Sequence, residues 1–167
     1  GPPAVPDLIR TLKSRRIEEL KNGHWTIRCL SAIGEPTVAS LVKGLSDPSA
    51  SIRWAAIEVL KTMPSSAKNA EAQFLSLVED PVPEIRACAL QALGKLQTRP
   101  PSLLPRLAAA LIDVSPDVRW AAASVASDVG PEAKPALDAL IAAMQDPEFK
   151  VRKAAVQAAG SIGTEAG

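Results

Sequence analysis

Four aspartates recur along the chain at a constant interval of 33 residues, namely Asp47, Asp80, Asp113 and Asp146. An arginine follows each aspartate after six residues, and these arginines are Arg53, Arg86, Arg119 and Arg152. A fixed period of this length is typical of a solenoid, in which each structural unit packs only on its neighbours. The spacing therefore predicts a repeat protein before any single residue is interpreted.

Apolar columns on both sides of the aspartate predict two helices in every repeat. With the aspartate as position 0, positions −6, −5 and −2 are apolar, as in Leu41, Val42 and Leu45. Positions +5, +8 and +9 carry a β-branched residue and two small residues, as in Ile52 and Ala55-Ala56. Such spacings form one apolar stripe on each of two helices. We call the helix after the aspartate the first helix of a repeat, and the helix before the next aspartate the second.

The pattern predicts an all-α fold, an α-solenoid of about four and a half to five two-helix repeats that forms a single domain over residues 1–167. A lone second helix over about 3–13 opens the chain, four two-helix repeats follow to Gln145, and a lone first helix over about 149–161 closes it. Solenoids normally end in polar caps, and the pattern contains none. We therefore expect a fragment of a longer array.

The first repeat departs from the period. Its Ile27-Arg28 pair comes eight residues late, and its Ile33-Gly34 comes three residues late. Residues 15–21 therefore contain an insertion or an extended helix end. The sequence leaves both alternatives open, and with them the helix register of this repeat.

The motifs of the repeat resemble the HEAT repeat family, in the short bacterial variety found in phycobilisome lyase subunits. The resemblance is carried by an Asp-Pro turn, a Val/Ile-Arg pair, an alanine-rich helix and a terminal glycine, as in Asp146-Pro147, Val151-Arg152 and Gly163. It covers roughly the whole chain and implies a solenoid. It leaves the function open, because the family includes scaffolds, lyases, hydroxylases and transport receptors.

The aspartate and arginine columns could be a binding motif, but their position favours a structural ladder. An aspartate at the turn between helices can accept hydrogen bonds from the exposed N–H groups of the next helix. An arginine can reach the aspartate of a neighbouring repeat, or the carbonyl groups at a helix end. The resemblance implies the same role, so we assign all eight residues of the two columns to this ladder.

The residues that enzymes commonly need are scarce. His24 is the single histidine of the chain and is expected at a loop or helix start, so a histidine metal cluster or a catalytic triad has no basis. The segment Gly160-Ser161-Ile162-Gly163 follows no strand, so it is interpreted as a helix terminator and not a phosphate loop. We predict no catalytic, cofactor-binding or metal-binding residue, no cofactor and no enzymatic activity.

Charge and hydropathy exclude further classes of partner. The net charge of +1 is far from that of a general polyanion binder, so we expect no nucleic acid partner. No apolar run approaches the roughly 20 residues of a membrane span.

The two cysteines, Cys29 and Cys88, form no CxxC motif and are interpreted as free, small core residues. Free thiols favour a reducing compartment, and we expect the cytoplasm.

Function is expected where the repeats differ. The second helices should line the concave face of a solenoid, with positions −4 and −7 directed outward. Tryptophan at position +7 either contacts a partner or fills the groove between repeats. The candidate partner surface is Arg10, Ser40, Lys43, Gln73, Ser76, Arg106, Trp54 and Trp120.

We predict a scaffold that binds another protein or a peptide on its concave face. Two alternatives stay open, namely a lyase-like or chaperone subunit that handles a chromophore-binding protein, and a regulatory module fused to an enzyme. Apolar edges are expected at the two terminal half-repeats, and they predict end-to-end self-association.

Overall fold

The computed structural model describes residues 4–96 and 100–163, and all regular structure in these ranges is helical. The contacts divide the chain into two compact units, 1–98 and 99–167, which we describe separately. Whether residues 1–167 form a single array stays a prediction. The opening residues of the lone second helix and the last residues of the repeat pattern, 1–3 and 164–167, lie outside the described residues.

The described part of the first unit contains eight α-helices, α1 (Ala4–Leu12), α2 (Ile17–Lys21), α3 (Trp25–Ile33), α4 (Val38–Gly44), α5 (Ala50–Leu60), α6 (Pro64–Ala67), α7 (Glu71–Leu77) and α8 (Pro83–Lys95). Helices α1, α4 and α7 are second helices, and α3, α5 and α8 are first helices. Helix α4 packs on α5 and α7 packs on α8, while α5 packs on both α3 and α8. Each second helix thus pairs with the next first helix, and the first helices pack side by side.

The second unit repeats this arrangement with α9 (Leu103–Ala110), α10 (Pro116–Val129), α11 (Leu137–Ala143) and α12 (Phe149–Gly163). Helix α9 packs on α10, α11 packs on α12, and α10 packs on α12. Short 3-10 helices precede three of the second helices, over Glu35–Thr37, Lys68–Ala70 and Gly130–Ala136. A proline in the first and third of these segments favours a tight turn over a longer α-helix.

The predicted columns build the cores of both units. At position −6, Phe74, Leu107 and Leu140 are fully buried. At position +9, Ala122 and Ala155 are also fully buried, and their small side chains allow α10 and α12 to approach closely. Position −5 is less enclosed, and Ile141 there is 52% exposed. Because successive residues are about 100° apart around a helix, position −5 lies at the edge of the apolar stripe.

The first repeat contains an additional short helix. Helix α2 ends at Lys21, and Gly23 then adopts a φ of 73°, which glycine tolerates without strain. His24 caps α3, since its Nδ1 accepts a hydrogen bond from the backbone N–H of Thr26 at 3.3 Å. The prediction that His24 lies at a helix start is confirmed. Helix α3 places its Ile-Arg pair third and fourth, the same places that Ile52-Arg53 occupies in α5.

None of the helices within 4–96 and 100–163 combines the length and the hydropathy that a membrane span requires.

Candidate functional site

Arg53 connects two repeats of the first unit through four hydrogen bonds. Its Nε donates to Asp80 Oδ2 at 2.8 Å, and its Nη2 donates to Asp80 Oδ1 at 3.1 Å. Its Nη1 donates to the carbonyl oxygens of Asp47 and Pro48 at 2.8 and 2.9 Å. The side chains of Arg53 and Asp80 are only 13% and 5% exposed. The guanidinium therefore ties the turn before α5 to the turn before α8.

Arg119 makes the same set of contacts in the second unit. Its Nε and Nη2 donate to the two carboxylate oxygens of Asp146 at 2.6 and 2.9 Å. Its Nη1 donates to the carbonyl oxygens of Asp113 and Val114. The hydrogen bond from Arg119 holds the pKa of the Asp146 carboxyl below its ordinary value, and the same bond raises the pKa of the Arg119 guanidinium. Both groups are therefore charged at neutral pH.

Each aspartate also makes one local hydrogen bond at its own turn. Its Oδ1 accepts from the backbone N–H two residues later, at 2.8–2.9 Å, and the four donors are Ser49, Val82, Ser115 and Glu148. Arg86 and Arg152 donate from Nη1 to the two turn carbonyls that precede their helices, as Arg53 does. These are the contacts expected of a ladder. How far they stabilise the fold stays a prediction.

Open clefts lie between successive second helices in each unit. Cleft A lies between α1 and α4, has a volume of about 260 Å³, and is lined by Pro6, Ile9, Ser40, Lys43, Gly44 and Asp47. Cleft B lies between α4 and α7, has a volume of about 420 Å³, and is lined by residues that include Leu45, Leu77, Gln73 and Ser76. Cleft C, in the second unit, has a volume of about 390 Å³ and is lined by residues that include Leu111, Ile112, Ala139 and Ala142.

Four of the candidate partner residues line these clefts, namely Ser40 and Lys43 in cleft A and Gln73 and Ser76 in cleft B. Arg10 is exposed on α1 and forms an ion pair with Asp7 at 2.9 Å. Arg106 is half-buried on α9. Positions −4 and −7 of α4 and α7 therefore line clefts A and B, and their role in binding stays a prediction.

Gln73 carries a feature that the sequence analysis missed. Among the described residues, its Oε1 is the one buried side-chain nitrogen or oxygen atom that has no hydrogen-bond partner. A buried acceptor without a donor costs free energy, roughly 1–3 kcal/mol, and such groups are rare in native structures. No sequence signal identifies this atom, because its burial depends on how α4 and α7 pack.

The two tryptophans at position +7 differ. Trp54 is only 7% exposed, which agrees with the alternative that this ring fills a groove. Trp120 is 36% exposed. Only Trp120 is therefore available at the surface to a partner.

A buried polar cluster joins α5 and α8, and the sequence analysis did not identify it. Lys61 Nζ donates to Glu58 Oε1 at 2.5 Å and to Gln91 Oε1 at 3.1 Å. The Cys88 thiol donates to the same Glu58 oxygen at 2.9 Å. Glu58 and Gln91 occupy position +11 in successive repeats, and this shared column is the signal that could have revealed the cluster. All of these hydrogen bonds lie within the first unit.

The cysteines occupy opposite environments. Cys88 is buried as predicted, but the prediction of a core position was wrong for Cys29, which is exposed. Cys29 is the fifth residue of α3, directly after the Ile-Arg pair, whereas Cys88 is the sixth residue of α8 and so faces a different side of its helix. Burial raises the pKa of the Cys88 thiol well above its usual range, and the neighbouring Glu58 carboxylate raises it further. The thiolate is the reactive form of cysteine, so Cys88 should be unreactive.

We expect a thiol reagent such as dithionitrobenzoate to modify one cysteine quickly in the folded protein and the second only after unfolding. Mass spectrometry should place the first label on Cys29, and Cys29→Ser should abolish the fast phase. Rapid labelling of Cys88 under native conditions would contradict the enclosed cluster.

Within the described residues, no group of three or more histidine, cysteine or acidic side chains could hold a metal ion. The clefts instead combine apolar and polar lining residues, as with Ile9 and Lys43 in cleft A and Leu77 and Gln73 in cleft B.

Paired helices, a constant repeat and repeating turn contacts define a helical repeat protein. The family of HEAT repeats matches residues 38–127 and 104–167, so the chain belongs to the HEAT repeat family. The resemblance inferred from the sequence and the all-α solenoid fold class are confirmed.

Solved structures of other repeat proteins have the same fold. The complex of CpcE and CpcF of phycocyanin lyase from Nostoc sp. PCC7120 contains a chain of 22% identity with a TM-score of 0.73, and the match covers 93% of this chain and 97% of that one. A designed armadillo repeat protein in complex with the peptide (KR)4 has 18% identity and a TM-score of 0.69, with 95% and 82% coverage. At these identities the likeness establishes the fold alone. No curated protein is significantly similar to the chain.

Proposed function

We propose that the protein is a non-enzymatic interaction scaffold that binds an extended segment of another protein along clefts A and B. The observation that carries this proposal is the division of the repeat into constant and variable positions. Core and turn positions recur from repeat to repeat, whereas position −7 differs in every repeat and position −4 differs in all but the last two, where it is Ala109 and Ala142. Residues at both positions line clefts A and B. Variation on one surface of a constant framework is what a selective binding surface requires.

The form of the clefts supports a polypeptide partner. Both are open, and each combines an apolar part, such as Ile9 or Leu77, with polar groups such as Lys43 or Gln73. A small-molecule site normally encloses most of its ligand, which an open cleft does not. An extended segment instead places successive side chains in successive clefts and uses its backbone for hydrogen bonds.

The solved relatives agree with this kind of partner without identifying it. One is a complex of two protein chains, and another is in complex with a peptide.

The net charge of +1 gives no support to a nucleic acid partner. The free thiols of Cys29 and Cys88 favour a reducing compartment such as the cytoplasm.

A second candidate function is a subunit that acts on a chromophore-binding protein. It is favoured by the match over 97% of a chain in the phycocyanin lyase complex. Clefts A and B contain no histidine or aromatic ring among their lining residues, so contact with a pigment itself has little support there. Such a subunit would still bind its protein partner through the same surface.

We expect peptides selected from a random display library on the full chain to bind at clefts A and B. The double substitution Lys43→Glu and Gln73→Arg should weaken their binding at least about tenfold in fluorescence anisotropy, because it inverts the charge of one cleft and fills the other. The exposed Lys68→Glu, which carries the same charge reversal and lines neither cleft, is the matched control. Equal affinities for wild type and double variant would refute the proposed surface.

A further inference from the structure

The ladder is interrupted in the first repeat. Asp80 and Asp146 each receive a guanidinium from the arginine 27 residues earlier. The residue 27 positions before Asp47 is Leu20, which is buried in the core. Arg28, the arginine of the displaced motif, is exposed and forms no ion pair within residues 4–96 and 100–163. Asp47 therefore lacks the cation that its counterparts have.

The carboxylate of Asp47 is nevertheless held in the orientation used elsewhere in the ladder. Its Oδ1 accepts a hydrogen bond from Ser49 N–H at 2.8 Å, and the equivalent bond at Asp80 is 2.9 Å long. Asp80 also binds a guanidinium in two-pronged geometry, which shows that a turn of this type can accept one. Asp47 is half-buried and lines cleft A.

We propose that the partner segment places an arginine side chain in cleft A against Asp47, in the place of the missing ladder arginine. This proposal rests on the proposed function and specifies its partner. Guanidinium suits the site because its planar N–H groups match a carboxylate in two-pronged geometry. The side chain of Leu20 supplies no such group.

The positive charges near cleft A limit the sequence that this segment can have. Lys43 lines the same cleft and forms no ion pair within the described residues, and Arg10 is exposed on the neighbouring α1. A run of basic residues would be repelled by these two cations. The segment therefore carries a single arginine and, next to it, an acidic residue that can pair with Lys43, so Lys43→Glu weakens its binding.

The test uses nine-residue capped peptides of alanine and serine that carry a central arginine, lysine or citrulline, or three arginines. Each is titrated into the full ¹⁵N-labelled chain, and the amide signals of Gly44 and Ser49 are followed. The arginine peptide should shift both signals. The neutral citrulline peptide should bind at least about tenfold more weakly, because a charge-assisted hydrogen bond is lost. The peptide with three arginines should gain no affinity over the peptide with one.

Asp47→Asn should weaken binding of the single-arginine peptide at least about tenfold. Asparagine keeps the Oδ1 acceptor for Ser49, so the turn should stay folded, and circular dichroism checks this. Asp138→Asn removes one negative charge from the exposed surface of α11 and should leave the affinity unchanged.

Three outcomes would overturn the inference: no shift with the arginine peptide, equal binding of citrulline and arginine, or unchanged binding to Asp47→Asn. If library peptides without arginine still require Lys43 and Gln73, the inference fails while the proposed function stands. If the library yields no peptide that depends on these two residues, the proposed function itself fails.

Discussion

Replacing Arg53 with alanine should lower the free energy of unfolding by about 3–5 kcal/mol, the range found when one partner of a buried ion pair is removed. The Arg53 guanidinium donates two hydrogen bonds to the Asp80 carboxylate and two to turn carbonyls. Its loss leaves Asp80, whose side chain is 5% exposed, as a buried charge without compensation. Urea denaturation followed by circular dichroism measures the change.

A double variant separates the ion pair from the packing of the side chain. Arg53→Met with Asp80→Asn removes both charges, keeps much of the arginine volume, and retains an acceptor for Val82 N–H. It should be more stable than Arg53→Ala, because no unpaired charge stays buried. If Arg53→Ala costs less than about 1 kcal/mol, a typical value for an exposed pair, the structural ladder is not supported.

Replacing Phe74 with alanine should lower the free energy of unfolding by about 3–5 kcal/mol, the usual range for a buried phenylalanine. Phe74 is the largest of the fully buried side chains in the described residues. It lies on α7, which packs against α8. Truncation therefore leaves a cavity between the second helix of one repeat and the first helix of the next, and thermal and urea denaturation should both report the loss.

Phe74→Leu is the matched control, because leucine occupies position −6 in the other repeats, as in Leu41 and Leu107. It should cost about 1.5 kcal/mol or less, since swaps between apolar residues of similar volume are tolerated best. An alanine variant as stable as the leucine variant would mean that this position does not form the core of the first unit.

Much of the fold could be predicted because equivalent residues of successive repeats lie in the same structural environment. A column such as Ile52, Ile85, Val118 and Val151 identifies a buried position without any structure, and all four residues are buried. The turn contacts of the aspartates and arginines follow from local geometry, which recurs with the sequence. The repeated sequence pattern therefore predicts the buried columns and the turn contacts, which depend on local structure.

Features that depend on neighbouring repeats could not be predicted. Trp54 and Trp120 share position +7, yet one is buried and the other is partly exposed, because exposure is decided by the residues that face each ring. The register of the first repeat needed the φ of Gly23 and the cap from His24, which a period of 33 residues does not specify. The lone acceptor of Gln73 likewise depends on the packing of two helices.

The central claim is that recurring positions stabilise the fold while variable cleft positions bind the partner. It is tested most directly by measuring both unfolding free energy and affinity for a library-selected peptide on two variants, Arg119→Lys and Lys43→Glu. Arg119 lies in the second unit and is not among the lining residues of clefts A and B. The account predicts that Arg119→Lys loses stability and keeps peptide affinity. It predicts that Lys43→Glu keeps stability within about 0.5 kcal/mol, as exposed substitutions usually do, and loses affinity. The reverse pattern, with binding lost in the ladder variant and stability lost in the cleft variant, would contradict it.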